Sequence, residues 1–168
     1  EIMNDCARAV QFLRHNAKKY NLDKTRVASY GESAGASASL WLATRDDLAD
    51  PNSKDPVLRE SSRLTAAGGF WVQATFDVIQ WPKILGLPED KTPYWGMVKS
   101  SKAQLGEKRF NELRKDMDML GNMDKNDPPM HFSPGKEGQG VHSHRFVEVL
   151  KKRAKEAGAN LIIKAGRE

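Results

Sequence analysis

Ser33 lies at the centre of the pentapeptide GESAG at residues 31–35, which has the form G-x-S-x-G. A short buried strand is predicted before it, over residues 26–30, and a helix of small and apolar residues after it, over residues 36–43. A strand, a sharp turn and a helix in this order form a nucleophile elbow, which exposes the serine hydroxyl at its tip. A serine presented in this way can attack a carbonyl carbon when a neighbouring base takes its proton.

The four neighbours of Ser33 complete the predicted elbow. Gly31 and Gly35 are expected because a side chain at either position would collide with the adjoining strand or helix. The backbone N–H of Ala34 points to the place where a negatively charged oxygen would form, so Ala34 is a candidate oxyanion donor. Glu32 occupies the variable position before the serine. A purely structural interpretation stays open, in which the glycines serve packing and Ser33 only caps the helix.

The sequence around the serine resembles a known family. Residues 22–37, LDKTRVASYGESAGAS, are similar to the elbow region of α/β-hydrolase-fold esterases and lipases, in the carboxylesterase and hormone-sensitive-lipase-like branches. The resemblance covers about residues 5–43 and again residues 127–164. It implies an α/β fold that is the C-terminal part of an α/β-hydrolase: a mostly parallel sheet flanked by helices, with a lid-like insert.

The same resemblance implies a domain organisation. Residues 1–168 would form a single partial α/β-hydrolase domain, with the first four strands and a second oxyanion loop in sequence preceding Glu1. Residues 73–127 interrupt the alternation of strands and helices with prolines and aromatic residues, so this segment is predicted to be the lid or insert. Its aromatic side chains would either line a substrate pocket or pack the insert onto the sheet.

Partners for the serine follow from the chain order of the family, which runs serine, acid, histidine. The acid is expected in residues 134–140, where Glu137 is the only carboxylate and no aspartate is present. Asp77 is the alternative acid, because some hydrolases place it after the sixth strand. The histidine is expected beyond Glu168, after the last strand. His142 is a less favoured base, since its position also suits the start of a helix.

The function implied by the resemblance is hydrolysis of carboxylic esters through an acyl-enzyme on the serine. The substrate would be a small-molecule ester, and no metal or organic cofactor is implied. The isolated chain is expected to be weakly active or inactive, because the base and one oxyanion donor are expected outside it. Two alternatives stay open. One is a non-catalytic binding protein with a degenerate triad, which the missing loop aspartate favours, and the other is a serine peptidase on the same fold.

Composition argues against several other classes of function. No apolar run approaches the roughly 18 residues of a membrane-spanning helix, so no transmembrane segment is predicted. The net charge is +5, but its densest basic cluster, residues 151–155, is flanked by Glu148 and Glu156 and suits the solvated face of a helix better than a nucleic-acid site. Cys6 is the only cysteine, which excludes an intrachain disulfide. The sequence indicates neither a compartment nor an oligomeric state.

Periodicity predicts the remaining elements. A five-turn helix is expected over residues 3–20, and a second helix over residues 143–157. The apolar face of the first helix is expected to be formed by Met3, Cys6, Val10, Leu13, Ala17 and Tyr20. Buried strands are expected over residues 64–72, 128–133 and 161–164. Their order gives the alternation of strands and helices that is typical of a parallel sheet.

Overall fold

A computed structural model describes residues 2–135 and 140–164 of the chain. Within these residues one sheet has the strand order β1-β2-β3-β4, and each neighbouring pair is parallel. These strands are β1 (Ala28–Glu32), β2 (Ala66–Phe70), β3 (Met130–Ser133) and β4 (Leu161–Ile163). Parallel neighbours require a crossover connection from the end of one strand to the start of the next, and the helices lie in these connections.

The helices outside residues 73–127 lie close to their predicted positions, with shifts at their ends. The described helices are α1 (Ile2–His15), α2 (Ala17–Tyr20), α3 (Ala34–Thr44), α4 (Trp81–Leu85), α5 (Trp95–Met117), α6 (Met119–Asn122) and α7 (Arg145–Ala157). Two 3-10 turns, Val78–Gln80 and Glu89–Lys91, flank α4. Along the described chain, none of these helices has both the length and the apolar character needed to cross a membrane.

The predicted five-turn helix is broken at Asn16, between α1 and α2. The prediction of its buried face was also partly wrong, because Leu13 is 39% exposed whereas Gln11 and Arg14 are buried. Gln11 donates through Nε2 to main-chain oxygens of the loop between α3 and β2, at 2.8 Å for Glu60. Hydrogen bonds to a polar loop therefore extend the covered side of α1 beyond its apolar positions, of which Ala7 and Val10 are buried in the core.

The sheet packs its helices on one face. The core contains apolar residues of α3, such as Leu40, against Met130 and Phe132 of β3. The other face carries Tyr30 and Ile162, which lie in the same cross-strand row and are 65% and 55% exposed. The prediction of a buried strand before Ser33 was therefore wrong, because β1 is an edge strand of the described sheet and only one of its faces is covered.

Residues 73–127 form the helical segment between β2 and β3. Trp81 is buried there, donates through Nε1 to the carbonyl of Thr75 at 2.9 Å, and contacts the ring of Phe146 in α7. Of the two roles predicted for the aromatic residues, Trp81 therefore performs packing. Helix α5 is interrupted at Gly106, whose φ of 72° and ψ of 163° are not helical. Whether this segment acts as a lid over the serine stays a prediction.

A buried carboxyl before β3 predicts a pH-dependent stability. Burial is the main cause that raises the pKa of Asp127 to about 6. The negative charges of Asp124 and Asp46 also raise this pKa, whereas the positive charge of Arg63 lowers it. The folded state therefore holds this proton more tightly than the unfolded state does. The stability that the protonated group contributes is fully present below pH 4 and is lost as the pH rises through about 6.

Asp127→Asn is accordingly expected to raise the free energy of unfolding at pH 8 by about 1 kcal/mol, with little change at pH 4. The amide oxygen can still accept the hydrogen bond that Asp127 takes from the N–H of Asp124. Urea denaturation at the two pH values measures the effect, with exposed Asp90→Asn as the control. Equal stabilisation at both pH values would contradict the assignment of this titration to Asp127.

Candidate active site

Ser33 lies at the junction of β1 and α3, and its backbone conformation is unusual. Its φ of 52° and ψ of −117° are angles that a residue with a side chain rarely adopts. Ala34 is the first residue of α3, and the N–H of Ser33 donates to the carbonyl of Phe70 in β2 at 3.0 Å. The strand, sharp turn and helix predicted around Ser33 are therefore present, and the turn is strained at Ser33. Such strain costs on the order of 1–3 kcal/mol and is typical of functional sites.

Crowding explains one of the two elbow glycines. A Cβ added to Gly31 would lie 2.5 Å from the carbonyl carbon of Gly35 and 2.9 Å from the nitrogen of Ala36. A Cβ added to Gly35 would meet no described atom within 4 Å. The prediction that crowding requires both glycines is therefore right for Gly31 and wrong for Gly35, because only Gly31 lies beneath the first turn of α3.

This difference predicts opposite effects for two matched substitutions. Gly31→Ala is expected to lower the free energy of unfolding by about 1–3 kcal/mol, because the methyl group meets backbone that cannot rotate away. Gly35→Ala is expected to leave stability unchanged or raise it by up to about 1 kcal/mol, since alanine is favoured within a helix. Thermal or urea denaturation compares the two variants, and equal losses in both would contradict the packing described for Gly31.

The hydroxyl of Ser33 contacts an imidazole from a distant part of the chain. Its Oγ lies 2.7 Å from Nε2 of His142, which lies 109 positions further along the sequence. The ring of Trp71 lies beside that of His142, with centroids 5.4 Å apart. Trp71 itself has a positive φ of 59° directly after β2. A serine oxygen and an imidazole nitrogen at this distance can exchange a proton.

Of the two predicted acids, Asp77 lies within the described residues. Glu137 lies outside the described residues. Gly135 lies two residues after the end of β3, and a Cβ added to it would overlap the carbonyl oxygen of His142, so Gly135 itself packs against the backbone of the histidine. Asp77 is buried and forms a bidentate ion pair with Arg114, at 3.1 Å from Nε to Oδ1, and these hydrogen bonds raise the pKa of Arg114. The contacts of Asp77 therefore favour a structural role.

Ala34 is exposed at the N-terminus of α3, where free backbone N–H groups and the helix dipole favour a negative charge. The role of Ala34 as an oxyanion donor stays a prediction. Glu32 is exposed at the end of β1. His144 faces Glu148 at 3.7 Å. Residues 2–135 and 140–164 contain no group of three or more His, Cys, Asp or Glu side chains arranged to hold a metal ion.

Sequence reasoning missed the polar residues behind the serine. Ser37 and Gln73 are buried and hydrogen-bonded to each other, and Gln73 also contacts the carbonyl of Val141. Nothing in the sequence alone distinguishes Gln73 from a surface glutamine. The signal for Ser37 was its position four residues after Ser33, one helical turn along α3.

Solved structures of known proteins resemble this chain over almost its whole length. The acetyl ester-xyloside bifunctional hydrolase of Caldicellulosiruptor lactoaceticus superposes with a TM-score of 0.72 at 22% identity, over 99% of this chain and 55% of that one. The butyrate-bound esterase Est2 of Thermogutta terrifontis gives a TM-score of 0.65 at 19% identity, over 98% and 54%. A bifunctional GH43-CE protein of Bacteroides eggerthii gives 0.63 at 19% identity, over 97% and 23%.

These likenesses establish the α/β-hydrolase fold that the sequence predicted. This chain spans about half the length of the first two proteins. A search of curated protein sequences finds no match. A family model does match, over residues 1–152. On that match, and with the elbow and parallel sheet described above, the chain belongs to the BD-FAE family, a family of α/β-hydrolase-fold esterase domains.

Proposed function

We propose that this protein hydrolyses small carboxylic esters, with Ser33 as the nucleophile and His142 as the general base. The observation that carries the proposal is the 2.7 Å contact between Ser33 Oγ and His142 Nε2 at a strained elbow. Membership of an esterase family supports the reaction class. A binding protein with a degenerate triad has no need to retain either the strain or the serine–imidazole contact.

The reaction runs in two halves on these groups. Nε2 of His142 accepts the hydroxyl proton as Oγ of Ser33 attacks the ester carbonyl, and the backbone N–H of Ala34 donates to the oxygen that becomes negative. The imidazolium returns the proton to the departing alcohol, which leaves an acyl group on Ser33. A water molecule then attacks the acyl-enzyme while His142 takes its proton. The imidazolium returns this proton to Ser33 Oγ as the bond to the acyl carbon breaks, which releases the acid and restores the serine. For this to occur, Nε2 must be the unprotonated nitrogen of the neutral ring.

Short acyl groups are the proposed substrates. Solved structures that share this fold include an acetyl ester hydrolase and an esterase with bound butyrate. The test compares p-nitrophenyl acetate with the matching anilide, acetyl-p-nitroanilide, in the 168-residue chain and in a version extended at both ends. We expect turnover of the ester and at least about 10²-fold slower turnover of the amide. Comparable amide turnover indicates a peptidase, and a folded protein with no turnover of either compound indicates a binding protein.

Glu137 is proposed as the acid that orients His142, because it precedes the histidine on the loop where the chain order of this fold requires a carboxylate. Glu137→Gln is expected to lower kcat roughly 10⁴-fold while leaving the fold intact. Asp77→Asn is the matched control. We expect this variant to lower the free energy of unfolding, because it weakens the ion pair with Arg114, and to change kcat only slightly.

The opposite results for these two variants would assign the role of the orienting acid to Asp77. If Glu137→Gln keeps full turnover and Asp77→Asn loses it below its melting temperature, the acid is Asp77. If neither substitution affects kcat in an active enzyme, the histidine works without an orienting carboxylate.

A further inference from the structure

Gln73 joins the two halves of the proposed site through a buried amide. The residue follows β2, is 5% exposed, and faces α3 on one side. There Ser37 Oγ donates to Oε1 of Gln73 at 2.6 Å, and the main-chain N–H of Gln73 donates to the same Oγ at 2.9 Å. Ser37 belongs to the first turn of the helix that begins after Ser33, and its own N–H donates to the carbonyl of Ser33 at 3.0 Å.

The other end of the same amide faces the loop that carries the histidine. Nε2 of Gln73 donates to the carbonyl of Val141 at 2.9 Å and to that of Trp71 at 3.2 Å. Val141 is bonded directly to His142, and the Trp71 ring lies beside the His142 ring. One planar amide therefore connects the helix of the nucleophile with both the backbone and the aromatic neighbour of the imidazole.

The orientation of this amide is determined by its partners. Reversing it would place Oε1 against the carbonyl oxygens of Val141 and Trp71, where no hydrogen is available. In the orientation described, Oε1 accepts one hydrogen bond and Nε2 donates two, so the buried group is satisfied. A satisfied buried polar group of this kind resists displacement, because moving either partner leaves a donor or acceptor unpaired.

We propose that Gln73 is a positioning residue that holds His142 Nε2 within hydrogen-bond reach of Ser33 Oγ. The proposal rests on the function proposed above, and it assigns Gln73 no contact with the reacting atoms. Serine and histidine come from elements that are far apart in sequence, so their 2.7 Å contact depends on how α3 and the loop before α7 are joined. Displacement of a catalytic group by about 1 Å can cost on the order of 10²-fold in rate.

Gln73→Met tests the proposal, because methionine has nearly the same volume but cannot hydrogen-bond to Val141 or Trp71. We expect kcat for p-nitrophenyl acetate to fall about 10²-fold, with KM changed less than about threefold. Gln11→Met is the matched control, since Gln11 is 2% exposed and its Nε2 also donates to loop carbonyls, away from Ser33. This control is expected to lose thermal stability while keeping kcat within about twofold below its melting temperature.

A second measurement does not depend on catalytic activity. The imidazole ¹⁵N resonances of His142 report its tautomer and its hydrogen bond in the substrate-free protein. We expect a single tautomer in the wild type and in Gln11→Met, and a mixture of tautomers in Gln73→Met. A wild type without turnover, both as the 168-residue chain and in the extended version, would contradict the proposed function alone. In an active enzyme, unchanged His142 resonances together with an unchanged kcat in Gln73→Met would overturn the role of Gln73, and in an inactive one the unchanged resonances alone would overturn it. Equal losses of kcat in Gln73→Met and Gln11→Met would also overturn it.

Ser37→Ala is the alternative test of the proposal if Gln73→Met does not fold. It removes the hydroxyl that holds Oε1 and the N–H of Gln73, and it leaves only a small cavity. We expect about a tenfold lower kcat and a partial loss of the single His142 tautomer. Wild-type values for both quantities in folded Ser37→Ala would overturn the proposal.

Discussion

Ser33→Ala is expected to lower kcat for p-nitrophenyl acetate roughly 10⁶-fold, because the acyl-enzyme can no longer form. Alanine at position 33 must adopt the same φ of 52° as serine, so the strain is unchanged and the melting temperature should stay within a few degrees. The measurement is made in whichever form of the protein hydrolyses the ester, the 168-residue chain or a version extended at both ends. Residual turnover then reflects only binding and oxyanion stabilisation.

Two companion variants make this result specific to the hydroxyl. Exposed Ser100→Ala removes a hydroxyl elsewhere and is expected to leave kcat unchanged. Ser33→Gly removes the nucleophile and also relieves the positive φ, so it should abolish turnover while raising the free energy of unfolding by about 1 kcal/mol. Ester turnover that survives in both Ser33→Ala and Ser33→Gly would show that another residue is the nucleophile.

His142→Gln is expected to lower kcat by a similar factor, roughly 10⁶-fold, because a serine hydroxyl without a base is a weak nucleophile. Glutamine can still hydrogen-bond to Ser33 Oγ but cannot accept its proton at neutral pH. Turnover of p-nitrophenyl acetate by the wild type and by His142→Gln, compared under the same conditions, measures the loss.

His144→Gln is the control, since His144 lies two residues away and faces Glu148 rather than Ser33. It is expected to retain kcat within about twofold. Full activity of His142→Gln in the extended protein would contradict the assignment. It would favour a histidine beyond Glu168 as the base, which is the position that the chain order of the family implies.

The elbow could be predicted from sequence because its determinants are local. Gly31, Ser33 and the small residues that follow specify a turn that only a few residue types can form, so neighbours within five positions suffice. The fold followed from the same local patterns, since alternating strands and helices imply a parallel sheet. The position of the last strand was predicted to within one residue, at Leu161–Ile163.

The contacts of the site could not be predicted in the same way. The pairing of His142 with Ser33 depends on where a loop after β3 crosses the end of β1, and no periodicity encodes that crossing. Gln73 is recognisable only once Ser37 and Val141 are near it in space. The buried side of α1 was misjudged for a related reason, because Gln11 is covered by hydrogen bonds to a loop without regular structure.

Labelling with a fluorophosphonate probe tests most directly whether Ser33 is an activated nucleophile. Such probes phosphonylate serines whose hydroxyl is deprotonated by a neighbouring base, and a solved structure of Thermogutta terrifontis esterase 2, which shares this fold, is phosphonylated by sarin. Intact mass should show one equivalent of label, peptide mapping should locate it on Ser33, and His142→Gln should slow labelling at least about 10²-fold. Label on a different serine, or a folded and active esterase that takes up no label at Ser33, would contradict the account.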